Sequence, residues 1–224
     1  MGVYKAHVLG SGQGSTPQLT APDNLKLLPL FALGLIKHDA LRQSSQIPTD
    51  MRSNAMNMIN TMPLQLLIPF LYANLYSLHN MPADAGEFSE NGVIFPPTLN
   101  LTAENLEVHG CYLLENGQNI YLWVGRNVVP QLCADLFDVK SYEGLKGGKI
   151  TLPTLETPLN RKVNTLIGKL RELRRGNYYP TLYLVKEDGD PYLRLWFLSH
   201  LIEDRTDNIM SYQQFLQHIK DRVS

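Results

Sequence analysis

The sequence predicts an α+β protein, with an all-α N-terminal segment followed by a mixed sheet flanked by helices. Three observations predict it. Apolar residues between Leu25 and Tyr72 follow helical patterns. From about Val108 the period changes to that of strands, with Asn116-Gly117 between two β-rich runs. Helical and strand-like runs then alternate to the end, in the order β-β-α-α-β-α.

Val3 to Leu9 reads as the end of some element, and Gly10 to Pro22 as a Gly/Ser/Thr/Pro loop. So abrupt a start predicts an excised piece rather than a natural N-terminus. Pro22-Asp23-Asn24 can cap a helix from Leu25 to about Lys37. Leu27, Leu28, Leu30, Phe31, Leu33, Leu35 and Ile36 surround it, which predicts burial on most sides. Pro29 sits in the first turns, where it costs least. Thr49 or Asp50 caps a second helix to about Thr61. Met51, Ala55, Met58, Ile59 and Met62 form its apolar stripe, and Arg52, Asn54 and Asn57 face outward. Such a methionine stripe serves either core packing, the commoner use, or an adaptable binding face. Pro63 opens a third helix, Leu64 to Tyr72, and Leu75 to Leu78 turns extended.

Asn80 to Pro97 is rich in turn formers, with Val93-Ile94-Phe95 as a short strand. This divides the chain into residues 1–79, part of a helical domain, a linker with short strands at 80–107, and an α+β domain at 108–224. In the last, Cys111 to Leu114 and Ile120 to Val124 form a hairpin that Gly125 ends. Asn127 caps a helix from Val129 to Phe137, and Leu152 to Pro158 is a connector. Asn160 caps a long helix to about Arg175, closed by Gly176. Tyr179 to Val185 is a strand, broken by Asp188-Gly189-Asp190-Pro191. The last helix runs from Tyr212 to about Arg222 with Ser211 as its cap.

Charge argues against bulk attraction to nucleic acid or anionic lipid, since 20 basic residues face 21 acidic ones. Hydrophobic residues at 44% allow a sizeable core. Cys111 and Cys133 lie far apart in apolar stretches, which reads as two buried thiols in a reducing compartment, with a single disulfide as the other possibility. Met1 to Gly10 lacks the pattern of a secretion signal. The longest apolar run, Leu27 to Ile36, is about half of a bilayer span. Together these predict a cytoplasmic protein.

Catalytic signatures are missing. There is no G-x-S-x-G elbow, Walker loop, G-x-G-x-x-G after a strand, or H-E-x-x-H. Gly10-Ser11-Gly12-Gln13-Gly14 reads as a flexible loop. The expectation is therefore no catalytic residue and no metal. None of the six histidines has ligand spacing, and His109 and Cys111, which a strand would put on one face, lack a second pair. Asp188, Asp190, Glu203, Asp204 and Asp207 read as solvated turn residues.

Two segments invite a binding role. The long helix sets Val163, Leu166, Ile167, Leu170 and Leu173 on a core stripe. Arg161, Lys162, Lys169, Arg171, Arg174 and Arg175 cover the rest, either as a basic surface for an anionic partner or as an ordinary amphipathic face. Around Trp196 two readings stand. As a strand, Tyr192, Arg194 and Trp196 share a face and would suit a peptide pocket. As a helix, Leu193, Trp196, Phe197 and Leu201 form a core stripe and Trp196 is packed.

Tyr112-Leu-Leu-Glu-Asn-Gly-Gln-Asn-Ile-Tyr-Leu-Trp-Val-Gly125 resembles the gelsolin-repeat hairpin, whose second strand ends in W-x-G. More specifically it is similar to the gelsolin-like domain of the COPII cargo adaptors, the Sec-twenty-four family. Leu25-Lys-Leu-Leu-Pro-Leu30, Leu75-Tyr-Ser-Leu-His79, Leu152-Pro-x-Leu-x-x-Pro-Leu159, Phe197-Leu-Ser-His-Leu-Ile-Glu-Asp204 and Ser211-Tyr-x-x-Phe-Leu216 resemble further family segments, in the family's order. The resemblance implies a coat component that selects cargo for transport from the endoplasmic reticulum to the Golgi. It implies a gelsolin-like domain from about Val108, and strands within Leu75 to Leu101 that complete a β-sandwich of the intact protein. The implied partners are the GTPase-activating coat subunit, cargo and SNARE sorting signals, and peripherally the membrane surface. No cofactor is implied in this stretch, a zinc finger being expected upstream. One family pocket for a short signal involves a tryptophan near the C-terminus, and Trp196 is the matching position. Two alternatives are a gelsolin-type actin-binding protein and the related GTPase-activating coat subunit.

Overall fold

A computed structural model describes residues 25–44, 47–173, 179–206 and 209–223. The expectations for the loop and cap before Leu25, for Gly176, Arg174 and Arg175, and for Asp207 lie outside them. The chain divides into two units, one of residues 1–57 with 202–224 and one of residues 58–201.

In the first unit, helix α1 is Leu28–Lys37, with Pro29 in its first turn. Leu30, Leu33, Gly34 and Lys37 are its buried positions. Leu27, Leu28 and Ile36 are exposed, so burial is narrower than an all-round apolar pattern predicts. The Lys37 ammonium donates to the Asp204 carbonyl oxygen. Burial lowers its pKa, against the opposing charge of Asp204. Helix α2, Thr49–Thr61, begins at Thr49 itself and crosses the boundary between the units. Its Arg52, expected to face outward, folds back to donate to the carbonyls of Ala40, Arg42 and Ser44. On the methionine stripe Ala55 is buried but Met51 is exposed.

The second unit is built on a sheet. After helix α3, Leu64–Leu71, come strands β1 (Asn74–Ser77), β2 (Phe88–Ser89), β3 (Gly92–Val93) and β4 (Thr98–Leu99). Next are β5 (Cys111–Glu115), β6 (Ile120–Val124), helix α4 (Pro130–Phe137), β7 (Gly148–Ile150), helix α5 (Pro158–Glu172) and β8 (Leu182–Lys186). Helix α6 is Pro191–Leu198, and α7, back in the first unit, is Tyr212–Val223. Six strands form one mixed sheet in the order β4-β1-β5-β6-β8-β7, and β2 and β3 pair separately. β8 runs parallel to β6 and the other pairings are antiparallel.

The hairpin stands where Asn116-Gly117 predicts it, pairing Cys111 with Val124 and Glu115 with Ile120. Asn116 Oδ1 accepts from the amides of Gln118 and Asn119 at 3.0 and 2.8 Å, and Gly117 takes φ +76°. Buried Glu115 accepts from the Gly117 amide at 2.6 Å and from Asn74 Nδ2 at 3.3 Å, tying the turn to β1. The glycine of W-x-G has a steric cause. A Cβ on Gly125 would lie 2.3 Å from the Val108 carbonyl oxygen.

Both sheet faces are covered, so every residue of β5 and β6 is buried. Cys111, Leu113, Ile120, Leu122, Val124, Leu182 and Leu184 share a core with α4 and α5. From α5 that core takes Val163, Leu166, Ile167 and Leu170. Leu173, expected on the same stripe, lies just past the last helical residue and is exposed. Cys111 and Cys133 are buried and free.

Three details correct the sequence reading. Thr157, not Asn160, caps α5, because Pro158 takes the first helical position. Asn160 sits one turn in, fully buried. Strands β1 and β4 join this sheet, where the resemblance implied strands of a separate sandwich. And α4 has no side-chain cap, since its N-cap position is Val129 ahead of Pro130, and Asn127 lies two residues upstream with its backbone amide on the Val108 carbonyl.

Candidate functional site

The segment around Trp196 is a helix. Asp190 caps it, Oδ1 accepting from the amides of Tyr192 and Leu193 at 2.8 and 3.0 Å, and Pro191 supplies the fixed φ of the first turn. At its other end the Trp196 carbonyl accepts from Ser199 Oγ and from His200 Nδ1, both at 2.7 Å. His200 Nε2 then accepts from Asn116 Nδ2 at 2.7 Å. This bond ties the end of α6 to the hairpin turn.

One side of α6 is locked to the sheet. Phe197 is fully buried and stacks on Trp123 with ring centroids 4.9 Å apart and planes at 30°. Tyr121 meets Phe197 nearly edge-on at 6.4 Å. The other side is open: Tyr192 is 76% exposed, Leu195 63% and Trp196 55%. Positions i, i+3 and i+4 of a helix share a face, so these three form one apolar surface on a fixed support.

Neither sequence reading of this segment holds in full. The strand reading fails because Asp190-Pro191 starts a helix, which puts Arg194 roughly on the opposite side from Tyr192 and Trp196. The helical reading places Phe197 and Leu201 correctly but not Trp196, which faces solvent. Leu195 was missed because strand alternation assigned it to the other face. Its i+3 spacing from Tyr192 was the available signal. Arg194 is half-buried, and its Nε is buried with no hydrogen-bond partner among the described residues.

The other candidate features resolve as structure. Arg161 pairs with Glu156, Lys162 donates to the Ala83 carbonyl, Lys169 lies 3.1 Å from Glu172, and Arg171 stands 4.3 Å over the Tyr179 ring. That fits an ordinary amphipathic face. Asp188 accepts from the Tyr142 hydroxyl, a bond that lowers the carboxyl pKa. His109 and Cys111 do not share a strand face: His109 precedes β5 and is exposed, while burial pushes the Cys111 thiol up. No helix of the described residues is long and apolar enough to cross a membrane.

Two families match the chain, the Sec23/Sec24 helical domain over residues 1–69 and the Gelsolin repeat over residues 92–167. Protein transport protein sec24 of Schizosaccharomyces pombe is 46% identical over 222 residues, covering 99% of this chain and 24% of the relative. Protein transport protein SEC24 of Coccidioides immitis is 44% identical over 229 residues, covering 100% and 24%. The crystal structure of the human COPII-coat protein Sec24c superposes with a TM-score of 0.79 at 32% identity, over 92% of this chain and 26% of that one. The chain thus spans about a quarter of the length of the curated relatives it matches.

Proposed function

Because the chain belongs to the Sec24 family, we propose that it serves the COPII coat, binding sorting signals of cargo bound from the endoplasmic reticulum to the Golgi. It works by recognition rather than catalysis, at the cytosolic face of the membrane and without crossing it. Residues 1–79 supply helices of the helical domain together with β1, 80–107 connect them and carry β4, and 108–224 provide most of the gelsolin-like domain, whose sheet β1 and β4 extend. The GTPase-activating subunit of the coat is its partner in the intact assembly.

The observation that carries this is the outward face of α6. Tyr192, Leu195 and Trp196 are exposed, while Phe197 holds the same helix rigidly to Trp123. Large aromatic side chains on a rigid base gain binding energy with little ordering cost. An extended peptide laying an apolar side chain across Trp196 would cover the surface now open. Arg194, expected to share this face, lies on the other side of the helix with its Nε buried, and so stands outside the proposed surface.

The magnitude follows from area. Tryptophan offers roughly 200 Å² and about half is open here, so full cover is worth about 2 kcal/mol, roughly thirtyfold in affinity. Immobilised cytosolic tails of cargo and SNARE proteins should therefore retain the wild-type chain selectively. Trp196→Ala should lose the tails that use this face. Equal recovery of every tail by both proteins would remove α6 from the site.

A further inference from the structure

We propose that His79, Glu107 and His109 form a three-ligand site for a divalent transition metal, with Zn²⁺ the ion that suits the donors. The sequence hides this set, since His79 lies 28 residues from Glu107. The topology assembles it. The amide of Leu78, just past β1, bonds the Cys111 carbonyl and carries the β1–β5 ladder one step further, delivering His79 to the same sheet end as Glu107 and His109. Glu107 Oε2 lies 3.2 Å from His79 Nε2 and 2.9 Å from His109 Nε2. The three ligand atoms all fall within 4.8 Å of one another.

Distances and donor types both suit a metal. Tetrahedral Zn²⁺ with bonds of about 2.0–2.1 Å separates its ligand atoms by about 3.3 Å, within a few tenths of the two spacings here. Two imidazoles and one carboxylate make the donor set of open zinc sites, where a fourth position remains for water. Glu107 and His109 are exposed, so that position faces solvent.

The surroundings hold the donors in place. His79 Nδ1 lies 3.2 Å from the Cys111 carbonyl oxygen and 3.1 Å from Ser77 Oγ. Donation from Nδ1 to that carbonyl leaves the Nε2 lone pair directed at Glu107, the usual support of a ligating histidine. The Cys111 amide also stands 3.1 Å from Nδ1. When it donates there, the ring proton sits on Nε2 and bonds Glu107 instead. The metal therefore displaces a hydrogen-bonded cluster already aligned for it. The backbone that carries Glu107 is held as well. The Glu107 amide donates to buried Tyr112 Oη at 2.9 Å, the Gly110 amide bonds the Glu107 carbonyl, and the Asn127 amide bonds that of Val108.

The test is calorimetric titration of the untagged 224-residue chain with Zn²⁺. Wild type should bind one equivalent at this site. His109→Ala and Glu107→Gln, both exposed positions, should each weaken that binding by more than about tenfold, the loss that even an outer-shell partner of a ligand brings. The metal-free unfolding midpoint of His109→Ala should not move. Failure of wild type to bind Zn²⁺, or equal affinity in His109→Ala, would overturn the proposal.

Discussion

Asn160→Ala should cost the sheet-bearing unit about 3 kcal/mol. Asn160 is 0% exposed and uses its whole amide. Its Nδ2 donates to the carbonyls of Leu136 and Pro153, both at 2.9 Å. Its Oδ1 accepts from the Leu155 amide at 2.9 Å and from Asn164 Nδ2 at 2.7 Å. One side chain thereby joins the end of α4, the connector before α5 and α5 itself. After truncation the Pro153 carbonyl keeps Asn164 as a donor, at 3.1 Å. The Leu136 carbonyl and Leu155 amide lose the bonds that Asn160 supplied. Each stranded group costs about 1–3 kcal/mol, and alanine's better helix propensity returns about 0.5 kcal/mol. The assay is urea unfolding followed by Trp123 fluorescence in a Trp196→Phe background, so that one buried indole reports on this unit. Asn164→Ala, which removes only side-chain bonds near the surface, should cost about 1 kcal/mol or less. A loss below about 1 kcal/mol for Asn160→Ala would show instead that water replaces the network freely.

Two further outcomes follow from the same unit. Tyr76 is buried, and its pKa is pushed up from 10.0 to about 12, first by burial and then by the charge of Glu115. The stability this represents is fully present below pH 10 and is lost as pH rises through 12, because the unfolded chain releases the proton first. Urea midpoints across that window should show wild type losing about 2–3 kcal/mol more than Tyr76→Phe, whereas parallel curves would contradict it. Gly125→Ala puts a methyl 2.3 Å from the Val108 carbonyl oxygen and 2.8 Å from that of Glu107. A destabilisation of about 3 kcal/mol or more is expected, read from denaturant unfolding, and a change under about 1 kcal/mol would show that the β5–β6 end is looser than its bonds imply.

Local signals carried the hairpin. Asn-Gly between two β-rich runs has one low-strain solution, and the structure takes it. Ser211 is a similar case. Its hydroxyl accepts from the Gln214 amide while Gln214 Oε1 accepts from the Ser211 amide, so the cap is written in four consecutive residues. Strand β7 was illegible because Gly148-Lys149-Ile150 has no alternation of its own and forms only by pairing with β8. The membership of β1 in the main sheet depends on partners some 40 residues away, which no local pattern encodes. At the candidate site, aromatic alternation from Tyr192 to Trp196 mimicked a strand, although Asp190-Pro191 is a helix-start signal. Once the helix is set, Phe197 takes the sheet side and Trp196 must point away. The His79, Glu107 and His109 set needed the β1–β5 register, so spacing alone could not reveal it.

The proposed role turns on a cargo tail covering Trp196. Its most direct test is Trp196 emission during titration with a synthetic tail peptide that the wild-type chain retains. Trp123, buried beneath Phe197, supplies a constant background. A saturable blue shift, absent in Trp196→Phe, is the expected result. Binding of the peptide with no change in Trp196 emission would place recognition elsewhere and remove α6 as the cargo surface.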